Sequence, residues 1–188
     1  MKPIGPLMWE HRLIERMLRR FEGEIKRIDE SNRVDTVFVD TAVDFVRTYA
    51  DRTHHGKEED ILFRELARKQ LSSEHARIMR ELIEEHVYSR ETVKKLVEAK
   101  ERYLKGEDVA HEVVAHLKEL ARFYPLHIRK EDKEFFHPCM DYFTRGEQDA
   151  MLAEFYEFDR NMIHEKYRQI VDRAEARSGL ESRIEGSS

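Results

Sequence analysis

Two stretches of the chain carry the same side chains in the same order. "HHGKEEDILF" runs from His54 to Phe63, and "HIRKEDKEFF" runs from His127 to Phe136. Each opens on His, places Lys fourth and Glu fifth, and ends in Phe. Each also has a shorter companion, the dipeptide "EH", at Glu10-His11 and again at Glu85-His86. The order along the chain is therefore His, His-x-x-x-Glu, His, His-x-x-x-Glu. His127 follows His54 by 73 positions and His86 follows His11 by 75. Imidazole and carboxylate together suit iron or manganese, with zinc as an alternative. Glu58 and Glu131 stand four residues beyond His54 and His127, which on an α-helix puts each pair on one face. A lone His-x-x-x-Glu is usually a surface pair contributing roughly a few tenths of a kcal/mol. Two copies, each with a matching His elsewhere, point to metal binding instead.

The elements that must carry these residues read as helices. Hydrophobic residues make up 40% of the 188 and charged residues 39%, with seven Gly and four Pro. That mixture suits a helix-rich globular domain rather than a sandwich or a disordered chain. Leu7, His11, Ile14, Leu18, Phe21 and Ile25 keep helical spacing from near Pro6 to about Asp29. A second helix runs from an Asp35 N-cap to about Lys69, and a third from Ser72 or Ser73 to near Gly106. The fourth starts near Asp108 and carries Pro125, which should bend it. "HPCMDYFTRGEQ" reads as a loop, with Cys139 a loop thiol. A fifth helix spans about Glu147 to Ala176. The expected fold is all-α: an up-down-up-down four-helix bundle, with the extra C-terminal helix packed against its outside or across one end. Residues 1–177 form one domain, and 178–188 read as a mobile tail, part of it vector-derived.

Depth in such a bundle brings the motifs together. His11 lies 18 residues before the end of its helix at Asp29, and His54 lies 19 after the next begins at Asp35. In an antiparallel hairpin both stand ~27 Å from the shared turn. His86 and His127 repeat the match against Leu104 and Asp108. All four His also fall on the apolar stripe of their helices. A carboxylate turned into a core costs several kcal/mol unless something pairs it, and a cation would do so. Four His and two Glu are enough for two metals, each taking two His, with both carboxylates able to bridge. Positions remain for an oxo or hydroxo bridge and for a small exogenous ligand.

At these residues the chain resembles the hemerythrin-like, or HHE cation-binding, family, over roughly residues 4–137. The segments "HHGKEEDILF" and "HIRKED" carry the likeness. It implies a non-haem diiron site in a four-helix bundle. His11 and His54 would bind one iron, His86 and His127 the other, and Glu58 and Glu131 would bridge. Oxygen-carrying members have a fifth His one turn after the third-helix His, where this chain has Arg90. The six-ligand set is closer to the repair-of-iron-centres proteins, whose Cys-bearing N-terminal region has no counterpart here. With Arg90 in that place the two irons should be nearly equivalent, and the protein should not carry oxygen reversibly. Arg90 should turn away or clasp an anion or carboxylate.

Of the other His, His55 reads as pointing beside the site. Its alternative pairing with Glu59 lies about 100° off the stripe. His75, His111, His116 and His137 read as solvated or capping. His164 could reach the cluster if the fifth helix folds over it. Tyr49 and Tyr124 stand close enough to hydrogen-bond near the site, or serve as core aromatics.

Three functions compete. One is a diiron protein that senses, binds or handles oxygen, nitric oxide or iron. Another is a diiron enzyme, peroxidase-like or donating iron to iron-sulfur cluster repair. The third is a bundle with structural zinc. The expected partners are a small diatomic ligand or peroxide, and a redox partner. A formal net charge of −5 without a basic stripe argues against nucleic acid. No apolar run approaches the ~20 residues of a membrane span. A single Cys, and an N-terminus that meets charge too early for a signal peptide, suggest the cytoplasm.

Overall fold

The expected caps stand where the helices begin. Asp35 accepts from the backbone N–H of Val37 and Phe38, and Ser72 accepts from that of His75. In the computed structural model, which describes residues 2–185, the regular structure is all helical. α1 is Ile4–Ser31 and α3 is Ser73–Leu104. α2 covers 36–66 and is irregular. Thr36–Asp44 is α-helical, Phe45–His55 and Glu58–Phe63 are π-helical, and Arg64–Leu66 closes it. α4 covers 110–135, α-helical over Ala110–Lys130 with Pro125 inside it, and π-helical over Glu131–Phe135. α5 is Arg145–Glu185, longer than expected at both ends. The last three positions of the expected tail, 186–188, lie outside the described residues.

α1 packs on α4, α4 on α3, α3 on α2, and α2 on α1, so the four helices close a ring. Their apolar stripes form two clusters. One holds Ile14, Phe21, Ala50, Val93, Leu117 and Tyr124, the other Leu7, Ile61, Phe63, Leu82, Phe135 and Phe136. His11 falls between Leu7 and Ile14, and His86 between Leu82 and Val93. The polar layer thus separates the two clusters.

The segment read as a loop is partly helical, Phe136–Cys139 followed by a 3-10 turn at Met140–Tyr142. Its apolar residues are drawn into the second cluster. Cys139 is therefore not a loop thiol: it is fully buried, and burial pushes its thiol up to about 12. Such a thiol is unreactive at neutral pH.

α5 lies along the outside of α2. Lys69 pairs with Glu147, Arg64 with Glu154, Lys57 with Asp159 and Asp44 with Lys166, so the helices run antiparallel. Of these, the exposed pairs Lys69–Glu147, Arg64–Glu154 and Asp44–Lys166 contribute little. The buried Met151 and Phe155 hold α5 in place, with Phe158 beside them. A Cβ at Gly56 of α2 would lie 2.8 Å from Phe158 Cζ. Gly56→Ala should therefore lose the ~1 kcal/mol that Ala normally gains in a helix. In a Phe158→Ala background the same change should stabilise by about that amount. Thermal melts of the two single variants and the double variant measure the coupling. Additive effects would mean the ring gives way freely.

Candidate metal centre

The six residues singled out by type and spacing meet in the layer between the two clusters. All are buried, none more than 2% exposed. His11 Nε2 and His54 Nε2 stand 2.8 Å apart. Glu58 spans the layer, with Oε1 3.4 Å from His54 Nε2 and Oε2 3.4 Å from His86 Nε2. Glu131 does the same, with Oε2 3.1 Å from His11 Nε2 and Oε1 3.1 Å from His127 Nε2. Two donor groups result. One is His11, His54, Glu58 and Glu131; the other is His55, Glu58, His86 and His127. One group contains His11 with His54 and the other His86 with His127, and a fifth ring has joined the layer.

That ring corrects the reading of His55. It is fully buried, stacked on His86 with centroids 3.8 Å apart and 9° between planes, and edge-on to His127 at 5.5 Å. The layer is two donor groups wide, so α2 meets it with two neighbouring residues. His54 faces the α1 side and His55 the α3 side. Glu58 serves both, being four residues from one and three from the other, spacings that share a helix face. The π-helical turns here are wider than α-turns, and such turns recur at functional sites. The sequence held the signal in the three-residue step from His55 to Glu58.

A ring of carboxylates surrounds the layer. His54 donates from Nδ1 to Glu10 at 2.9 Å, His86 to Glu59 at 2.7 Å, His127 to Glu85 at 2.8 Å and His11 to Asp132 at 2.8 Å. The pattern is cyclic. α1 supplies the acid for the His of α2, α2 for α3, α3 for α4, and α4 for α1. Each acid is held in turn by a cation from the helix whose His it supports: Lys57 on Glu10, Arg90 on Glu59, Lys130 on Glu85 and Arg12 on Asp132. Every repeated position of the motif now has a place. The acid on Nδ1 fixes the tautomer and aims Nε2, with its lone pair, at the centre.

Electrostatics favours a cation there. Among the described residues, the buried polar side-chain atoms without a hydrogen-bond partner are the Tyr49 hydroxyl and eight atoms of this layer: both oxygens of Glu58 and of Glu131, both nitrogens of His55, and Nε2 of His86 and His127. Such atoms each cost roughly 1–3 kcal/mol, and more if charged. Burial, then Glu131, push Glu58 well above the usual carboxylate range. Burial also opposes charge on Glu131, but His127 and His11 hold it well below that range. Burial, then His11, push His54 down to about 4, so its nitrogens are free of an extra proton. Metal ions at the two donor groups would satisfy these atoms together, and the nitrogen and oxygen donors fit iron, manganese or zinc.

Arg90 clasps carboxylates, as expected. Nε stands 2.7 Å from Asp51 and Nη2 2.6 Å from Glu59. Three rings stand on one side of the layer and two on the other. His164 is exposed on α5 and is outside both donor groups. His75 pairs with Tyr142, and His116 with Glu119, away from the layer. Tyr124 is buried, stacks near His55 at 6.2 Å and exchanges a hydrogen bond with Ser89.

Among known families, the model for the hemerythrin HHE cation binding domain matches residues 3–139. No curated protein and no solved structure gives a match.

Proposed function

The chain belongs to the hemerythrin HHE cation binding domain family, and from that premise we propose that it is a non-haem dinuclear metal protein, holding two iron ions, that binds or senses a small ligand such as oxygen or nitric oxide, or handles iron. His11 and His54 would hold one ion, and His86 and His127 the other. Glu58 and Glu131 would join them, within an up-down-up-down bundle. Two ferrous ions side by side would supply electrons and open positions for a diatomic ligand or peroxide.

The observation that carries this reading is the cluster of unpartnered donor atoms. Their side chains come from α2, α3 and α4, and the rings of His11, His54, His86 and His127 around them are each oriented by a carboxylate from the neighbouring helix. An apolar layer of the same volume would be more stable without a metal, so a binding task accounts for the polar one. The chain's own residues aim the ring nitrogens, exclude bulk water through the two flanking clusters, and fix the rings' outer protons on carboxylates. No described helix is long and apolar enough to cross a membrane, and we place the protein in the cytoplasm.

Elemental analysis with a visible spectrum of protein produced in iron-replete cells tests the proposal. About two irons per chain are expected, with near-ultraviolet and visible absorption on oxidation. A colourless protein holding stoichiometric zinc would favour the structural-metal alternative. Protein without metal would overturn both.

A further inference from the structure

The outer sides of α1 and α4 carry charge that the metal layer does not use. The two helices pack side by side, and two ion pairs cross their seam, Arg12 to Asp132 and Lys118 to Asp29. Arg16 and Arg19 follow Arg12 by four and seven residues, so they line the α1 side of that seam. Arg122, Arg129 and Lys133 follow Lys118 by four, eleven and fifteen, which keeps them on its side of α4. No run of the sequence is basic, because helical spacing separates these residues along the chain and only the fold lines them up. Arg16, Arg19, Arg20, Arg122, Arg129 and Lys133 are all exposed, and among the described residues none has a carboxylate partner. Of the acids along the seam, Glu15 and Asp132 are taken by Arg12 and Asp29 by Lys118, leaving Glu22. The remaining surface is more acidic than average, since the chain has 34 Lys and Arg against 39 Asp and Glu. Apolar side chains stand among these cations. Trp9 and Leu126 are each 69% exposed, one on each helix. Trp9 precedes Arg16 by seven residues, and Leu126 precedes Lys133 by seven, spacings that share a face. On α1 a groove of about 470 Å³ is lined by Leu13, Met17 and Phe45 as well as by Arg16, Arg19 and Arg20.

We propose that this face docks on an anionic lipid surface, with its arginines and Lys133 against the lipid phosphates and with Trp9 and Leu126 entering the headgroup layer. Charge complementarity selects a polyanion, and like charges exclude a second copy of the same face. The apolar residues select lipid among polyanions. Trp settles at a membrane–water interface, whereas a nucleic acid backbone or an acidic peptide offers Trp9 and Leu126 no apolar phase. Between Trp9 and Arg20, and between Lys118 and Lys133, there is also no Asn, Gln, Ser or Thr to read base edges. The contact is peripheral, because no described helix is long and apolar enough to cross a membrane. The cytoplasmic leaflet supplies the anionic lipid. No residue of the metal layer takes part, so the proposal stands apart from the dinuclear reading.

Trp9 is the only Trp in the sequence, so its fluorescence reads this face directly. The full chain is titrated with vesicles of phosphatidylcholine and phosphatidylserine in equal parts. The emission should move to the blue, and bromine in the acyl chains should quench it. Vesicles of phosphatidylcholine alone should leave it unchanged. Arg16→Gln/Arg129→Gln should weaken the partition by about 25-fold, since each basic residue at such a surface contributes about 5-fold. Lys94→Gln/Lys95→Gln makes the same charge change on the exposed side of α3 and should bind as the parent does. Far-ultraviolet circular dichroism checks that the variants fold, and the parent's own response decides the matter without them. Equal response to both kinds of vesicle, or response to neither, would overturn the proposal. So would an Arg16→Gln/Arg129→Gln chain that partitions like the parent. A shift produced by duplex DNA or poly-glutamate, with no quenching by the brominated lipid, would assign the face to another polyanion and overturn it as well.

Discussion

Glu58→Met should empty the centre and yet make the metal-free protein more stable. Glu58 belongs to both donor groups, and its two oxygens face His54 and His86 at 3.4 Å each. Without it neither ion keeps its bridge on that side, so metal content should fall from about two per chain to below about one. The stability change runs the other way. In the metal-free protein both oxygens are buried without a partner, and burial and the nearby Glu131 push the group well above the usual carboxylate range. A thioether of similar volume removes that unsatisfied polar group, and should return roughly 1–3 kcal/mol. Urea denaturation of chelator-treated parent and variant, beside elemental analysis of both as purified, reads the two effects. A carboxylate with a purely structural role would give the opposite result, with stability lost and metal unchanged. Glu131→Met should also lose metal, but it should be less favourable to the metal-free protein. His127 and His11 hold Glu131 well below the usual carboxylate range, and its removal takes away their counter-charge.

What the sequence shows of this centre depends on how far each contact reaches along one helix. The His-x-x-x-Glu pairs and the apolar stripes are local, and His11, His54, Glu58, His86, His127 and Glu131 all meet where their spacing places them. The caps at Asp35 and Ser72 are local too, and also stand as expected. The outer carboxylates are different. Glu10, Glu59, Glu85 and Asp132 each serve a ring on the neighbouring helix, and the sequence does not name that neighbour. His55 enters the layer for a geometric reason: the carboxylate grouped with it is Glu58, three residues on, rather than Glu59, four residues on. Lys57 and Lys130 show the limit most clearly. They hold the same place in the same repeat, three residues after a ring. Lys57 is fully buried while Lys130 is 23% exposed. The difference comes from α5, which covers α2 through Phe155 and Asp159.

Lys57→Met should therefore be far more damaging than Lys130→Met. The Lys57 ammonium is held between Glu10 and Asp159, 2.7 Å from the latter, with the Phe155 ring 5.9 Å away. Glu10 is 6% exposed, and its remaining partner is the Nδ1 proton of His54. Taking away the cation leaves a buried carboxylate beside a ring that burial and His11 keep neutral. Breaking a buried pair in this way costs about 3–5 kcal/mol. In a chain of this length that lowers the melting temperature by on the order of 10 °C. Lys130 loses a partly exposed pair, which contributes at most ~1 kcal/mol. The double variant Lys57→Met/Glu10→Gln should recover most of the loss, because no unpaired charge remains in the core. Metal binding should not recover with it. A Gln amide accepts the His54 proton more weakly than a carboxylate, and loss of such a partner lowers metal affinity by about 10–100-fold. Melting curves of the metal-free variants and cobalt titrations of the same samples separate the two effects. If Lys57→Met melts within a degree or two of the parent, Glu10 is not dependent on its cation, and the relay from α5 through Lys57 to His54 does not operate.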